Sequence, residues 1–112
     1  MLRINVSDET LIIHVGVSEL NMQVGAAFKE EIAPLLATPL NHVVIDLAEV
    51  AYIDTFGLSG LIFALNNTRR SWKTLHLRNV CPAVQYILEL TRLVDLFPIS
   101  HTQQVTKALA AA

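Results

Sequence analysis

Asp54-Thr55-Phe56-Gly57 sets a carboxylate and a hydroxyl side by side where an extended stretch gives way to a helical pattern. An apolar run, Val43-Val44-Ile45, ends at Asp46, and a short bridge from Leu47 to Ile53 leads to this turn. A strand therefore delivers the chain to a point where one hydroxyl meets the start of a helix. That position suits a phosphate, because unpaired N–H groups and the positive end of the helix dipole both face it. Thr55 then has two readings. Threonine is a common N-cap, and a cap needs no regulation. Alternatively Thr55 is a switch: phosphorylation adds a charge of about -1.5 to -2, tolerable at a helix N-terminus but disruptive to an apolar or acidic contact beside Phe56 and Asp54. Asp54 either caps the helix or orients the Thr55 hydroxyl and a metal-bound phosphate brought by a kinase, and the two roles are compatible. Asp46 reads as a turn carboxylate that accepts backbone N–H bonds.

Other residue types point to less. His14, His42, His76 and His101 lie far apart, and none stands three or four positions from another ligand-type residue on one helix, so no metal site is expected. Cys81 precedes Pro82 and reads as a small helix-cap residue; as a nucleophile it needs a basic partner in space. Gly57 and Gly60 fit neither GxGxxG nor the P-loop spacing, no Ser/His/Asp arrangement stands out, and no cofactor is expected.

The elements that must hold Thr55 follow from periodicity. Leu2, Ile4 and Val6 alternate with polar residues, Ser7-Asp8-Glu9 reads as a turn, and Thr10 to Val15 is rich in β-branched residues, which predicts a hairpin. Ser18 or Asn21 caps a helix carrying Val24, Phe28, Ile32 and Leu35, which kinks at Pro34 or ends just before it. After Thr55, Leu58, Leu61, Ile62 and Leu65 form the face expected on the sheet, while Phe56, Gly60 and Phe63 project from nearly the opposite side. Those two phenylalanines are either covered by the C-terminal segment or a subunit contact, or they form a docking patch beside Thr55. Leu75, Leu77 and Val80 make a short strand, Cys81 and Pro82 open a third helix with Val84, Ile87, Leu88 and Thr91 inward, and Leu93 to Ile99 is irregular or an edge strand. His101 to Ala112 reads as a final helix with Val105 and Leu109 inward. The order predicts an α/β fold: a single domain over residues 1–112 with a mixed sheet of about four or five strands packed against about four helices.

Composition bounds the rest. With 112 residues, 53% of them apolar and 16% charged, the chain can bury a substantial core, and some apolar side chains are expected at a partner site. A net charge of -2 gives no basic footprint for nucleic acid. No apolar run is long enough to span a bilayer, the N-terminus does not read as a signal peptide, and the single cysteine fits a reducing compartment, so a cytoplasmic protein is expected.

VVIDLAEVAYIDTFGLSGLIFAL, followed by LHLRNVCPAVQYILELTRLVDLFPI, resembles the STAS domain of bacterial anti-sigma factor antagonists. The specific parts are the strand ending in Asp46, the Asp54-Thr55-x-Gly57 turn, and Leu90-Thr91-Arg92-Leu93 running into Leu96-Phe97-Pro98-Ile99. The resemblance implies a non-enzymatic regulator in a partner switch. The unmodified protein binds an anti-sigma factor with Ser/Thr kinase activity, the kinase phosphorylates the hydroxyl after the motif aspartate, here Thr55, and a PP2C-type phosphatase reverses the step. It makes Asp54 the neighbouring acidic residue and Gly57 the small residue that lets a partner approach the helix start; joined to the outward face read above, this gives an expected partner surface of Asp54, Thr55, Phe56, Gly57, Ser59, Gly60 and Phe63. Two departures stand out. Phe56 is bulky where the family has a small residue, and Gly16-Val17-Ser18-Glu19-Leu20-Asn21 only approximates the family's turn after the second strand. The alternative is a stand-alone STAS subunit that docks on the cytoplasmic side of a membrane transporter, with Thr55 never modified. A nucleotide or small-molecule binder is a third reading, from a different class.

Overall fold

The computed structural model describes residues 1–97 and the backbone of residues 99 and 100. It begins with the expected hairpin: β1 (Leu2–Ser7) and β2 (Thr10–Val15) pair antiparallel, Leu2 opposite Val15 and Ser7 opposite Thr10. Asp8 and Glu9 join them with φ of 50° and 61°, the two left-handed positions of a type I′ turn, whose twist matches that of the strands it connects. Then follow β3 (Glu19–Leu20), α1 (Met22–Leu36), β4 (His42–Asp46), β5 (Tyr52–Ile53), α2 (Thr55–Arg70), β6 (Thr74–Arg78), α3 (Pro82–Leu90), a 3-10 turn (Leu93–Asp95) and β7 (Ile99–Ser100). The main sheet runs β1-β2-β4-β6-β7, parallel except for the hairpin, and β3 with β5 forms a separate parallel pair. The described residues hold three α-helices; the helix expected over residues 101–112 lies outside them.

Alternation decides where the core lies. Leu11, Ile13, Val15, Val43, Ile45, Leu75 and Leu77 are buried on one face of the sheet, in a single cluster with Phe28 and Ile32 of α1, Leu61 and Leu65 of α2, and Val84 and Leu88 of α3. Each such side chain contributes about 1.5–3 kcal/mol by leaving water. Asn21 caps α1, its side chain accepting from the Gln23 N–H at 3.0 Å. Pro34 does not end this helix, which runs on to Leu36. The lost hydrogen bond falls in the last turn, and Leu36, only 3% exposed, anchors that turn in the core. Cys81 and Pro82 open α3 as expected, although the thiol makes no capping bond.

The inner face of α2 is wider than the expected Leu58, Leu61, Ile62 and Leu65. Leu58, Leu61 and Leu65 are buried and Ile62 is half-buried, but Gly57, Gly60, Ala64 and Thr68 are buried too. The helix is clasped on two sides, by the sheet and by α1. At its far end Trp72 takes φ of 59°, with its N–H on the Arg69 carbonyl (3.1 Å) and the Lys73 N–H on the Thr68 carbonyl (2.8 Å). This Schellman closure satisfies the last carbonyls and leaves the indole 93% exposed.

Candidate functional site

Asp54 is the N-cap of α2, and Thr55 is the first helical residue. One carboxylate oxygen of Asp54 accepts from the N–H groups of Phe56 (2.9 Å) and Gly57 (3.0 Å). The other accepts from the N–H of Met22, the first residue of α1, at 3.0 Å. A single side chain therefore supplies the missing acceptor to two helices at once, which pins their N-termini together. The Asp54 N–H in turn donates to the Leu20 carbonyl at 3.2 Å, tying the junction to β3. Of the two sequence readings of Asp54, the geometry bears out the cap: all three bonds go to backbone, none to the Thr55 hydroxyl. Thr55 does not cap; it is exposed one residue further on.

The glycines serve the interior. A Cβ on Gly57 would lie 2.0 Å from the Leu20 carbonyl oxygen and 2.6 Å from Cγ1 of Ile53, so only glycine lets α2 start this close to β3. A Cβ on Gly60 would lie 2.7 Å from Cδ2 of Phe28, whose ring fills the groove left by the missing side chain. The expectation that Gly60 faces outward and Gly57 admits a partner is thus corrected: both are buried, one against β3 and one against α1. The paired phenylalanines are split as well. Phe63 is half-buried against the core, whereas Phe56 is 53% exposed. Ser59, one turn after Thr55, is half-buried, and its hydroxyl accepts from Nζ of Lys29 on α1 at 2.8 Å.

Beside Thr55 a groove of about 280 Å³ opens between the start of α2 and α3. Thr55, Leu58, Tyr52, Ile87 and Leu90 border it. Tyr52 is 48% and Leu90 62% exposed, and Met22, whose N–H is held by Asp54, is 63% exposed at the start of α1. Sequence reasoning missed Met22, Tyr52, Ile87 and Leu90. The signal available was weak: an apolar residue out of phase with its own element, such as Leu90 at the end of α3.

Asp46 has a different setting. It is 5% exposed, and its carboxylate accepts from the Ala48 N–H (2.9 Å), from Arg78 (2.8 Å at the terminal nitrogen) and from the Asn79 amide (3.2 Å), with His14 Nδ1 at 3.4 Å. Burial alone would raise its pKa, but the bonds from Arg78, the Ala48 N–H and Asn79 outweigh burial and hold it below the ordinary 3.8. The turn-carboxylate reading holds, with three side-chain neighbours added. His42 bonds Thr74 Oγ1 through Nδ1 at 2.8 Å. Among the described residues no three of His, Cys, Asp and Glu gather as a metal site, and no helix is long and apolar enough to cross a membrane. Cys81 is half-buried with its sulfur 3.7 Å from the Ala51 carbonyl.

A family model for the STAS domain matches residues 1–105. Among solved structures, a Thermotoga maritima protein assigned as an anti-sigma factor antagonist superposes with a TM-score of 0.81 at 22% identity, over 96% of this chain and 92% of that one. An anti-sigma factor antagonist from Mycobacterium paratuberculosis gives 0.80 at 23% identity, over 99% and 92%. The Bacillus protein SpoIIAA matches at 12% identity in both its unphosphorylated form (TM-score 0.74, over 100% and 98%) and its phosphorylated form (0.67, over 97% and 99%). At these identities the likeness is one of fold.

Proposed function

The chain belongs to the STAS domain family, and from that premise we propose that it is an anti-sigma factor antagonist whose Thr55 is the phosphoacceptor of a partner switch. The observation that carries this reading is an exposed hydroxyl on the first residue of α2, bordered by the apolar side chains of Phe56, Tyr52 and Leu90. In the unmodified state this surface binds an anti-sigma factor with Ser/Thr kinase activity. Thr55, Phe56, Tyr52, Leu90 and Met22 make the contact, Asp54, the buried Gly57 and Gly60 and the half-buried Phe63 hold α2 in place for it, and Ser59 sits at its margin. The kinase transfers phosphate to the Thr55 oxygen, and a PP2C-type phosphatase removes it. The protein acts as ligand and substrate and has no catalysis of its own.

Electrostatics favours a switch in binding over a switch in fold. A phosphate on the first helical residue is stabilised by the helix dipole yet lies beside the Asp54 carboxylate, so its net effect on the domain is small. Outside the domain it has no such compensation, because a dianion set in an apolar contact must be desolvated when the partner docks. That a Bacillus relative of the same fold exists in a phosphorylated form supports the reading.

The test is to isolate the protein from its source, map phosphate by mass spectrometry and identify what co-purifies. Phosphate on Thr55 and an anti-sigma factor retained by the native chain but lost by Thr55→Glu are expected. Retention by Thr55→Glu as strong as by the parent would overturn the proposal. Capture of a transporter, with Thr55 unmodified, would establish the subunit reading instead.

A further inference from the structure

The main sheet ends differently on its two sides. β7 is two residues long, whereas β1 offers six, Leu2 to Ser7, and among the described residues no strand of the sheet lies beyond it. The hairpin register says which backbone groups face outward. The Gly16 N–H donates to the Met1 carbonyl at 2.7 Å, and in an antiparallel ladder such reciprocally bonded pairs alternate with unbonded ones. Arg3, Asn5 and Ser7 therefore turn their N–H and C=O groups toward β2. Leu2, Ile4 and Val6 turn theirs to the open edge.

The same three residues carry the apolar side chains. They lie opposite Val15, Ile13 and Leu11, on the face of the sheet that bears the core. Yet Ile4 is 55% and Val6 58% exposed, while their three partners on β2 are buried. Edge strands are ordinarily protected by lysine, proline, a bulge or shortness. β1 has none of these; its one charge, Arg3, sits on the opposite face and pairs with Glu49. Among the described residues, unpaired hydrogen-bonding groups and unburied apolar side chains thus coincide on one strand.

We propose that β1 pairs antiparallel with β1 of a second copy of this chain, about a two-fold axis through Ile4, so that the two main sheets become one. The choice of a second copy rests on self-complementarity. Leu-x-Ile-x-Val is apolar at alternate positions in either direction and centred on Ile4, so Leu2 meets the second copy's Val6 and Ile4 meets its own counterpart. Every outward-turned residue then falls in a reciprocally bonded pair, which exchanges two hydrogen bonds. Arg3 faces an asparagine, so no like charges oppose. A two-fold contact of this kind also closes on itself and leaves no template for fibres.

The test is sedimentation equilibrium of the full chain together with crosslinking. The native protein is expected at twice its 12.4 kDa mass, and Ile4→Lys, which sets two ammonium groups against each other on the axis, at half the native value with an unchanged circular dichroism spectrum. In a Cys81→Ser background, Ile4→Cys is expected to oxidise to a covalent dimer, since residues opposed in a bonded pair lie about 5.5 Å apart, within disulfide reach. Asn5→Cys in that background should crosslink far less. A native chain that stays at 12.4 kDa up to its solubility limit overturns the proposal, as does a dimer that survives Ile4→Lys or crosslinks no better through residue 4 than through residue 5. Should Ile4→Lys not fold, the two cysteine variants decide alone.

Discussion

Asp46 and Asp54 stand eight positions apart, each where an extended segment hands over to something else, and each gathers several donors. The resemblance ends there. Asp46 is 5% exposed and its partners include the guanidinium of Arg78, so its charge is answered from within and nothing is left to meet a ligand. Asp54 is half-exposed and bonded only to backbone N–H groups, so it organises the ends of two helices and leaves its neighbour Thr55 free at the surface. A buried carboxylate locks a structure. A capping carboxylate at the surface builds a platform. Where a motif offers two aspartates, the side-chain cation identifies the one that locks.

That contrast can be broken by substitution. The largest effect is expected from Asp46→Ala, which strands the donors of Arg78 and Asn79. Removing one partner of a buried pair costs 3–5 kcal/mol, and because Arg78 is 30% exposed and recovers some hydration, the loss should be about 3 kcal/mol in urea unfolding. The acid limb of stability sharpens the same point. The folded pKa of Asp46 is depressed, so its contribution is whole above about 3.8 and disappears as pH falls through the lower folded value. The stability gap between the parent and Asp46→Asn should therefore be constant at neutral pH and close only below that point. Asp54→Ala removes a cap from α2 and an acceptor from α1, for about 1–2 kcal/mol by the same measurement. Smallest is Thr55→Glu, expected within about 0.5 kcal/mol of the parent in urea while partner capture is lost. If Thr55→Glu unfolds the domain, the division between a locking and a platform aspartate fails.

The alternation in β2, β4 and β6 and the proline after Cys81 were legible because they are local: period two and a missing N–H reveal themselves within a few residues. The Asp54–Met22 bond spans 32 residues, as does Asp46–Arg78, and no periodicity encodes such a distance. Gly60 shows the other limit. A helical wheel ranks faces by side chain, and a residue without one looks like a gap in the pattern, although here it is the seat for the Phe28 ring. The same blindness hid the second clasp on α2: α1 packs its Phe28 ring against Gly60, so the outward side seemed to include a residue that touches a neighbouring helix.

The Schellman closure of α2 has an optical consequence. Trp72 is the chain's single indole and is 93% exposed in the folded state, so its emission already matches that of a water-bathed fluorophore, and denaturation will hardly shift the spectrum. It also sits at the far end of a 16-residue helix from Thr55, about 24 Å away, too distant for a docking protein to quench by contact. A Trp72→Phe background carrying Phe56→Trp would move the lamp to the platform, where desolvation by an arriving partner becomes visible as a blue shift.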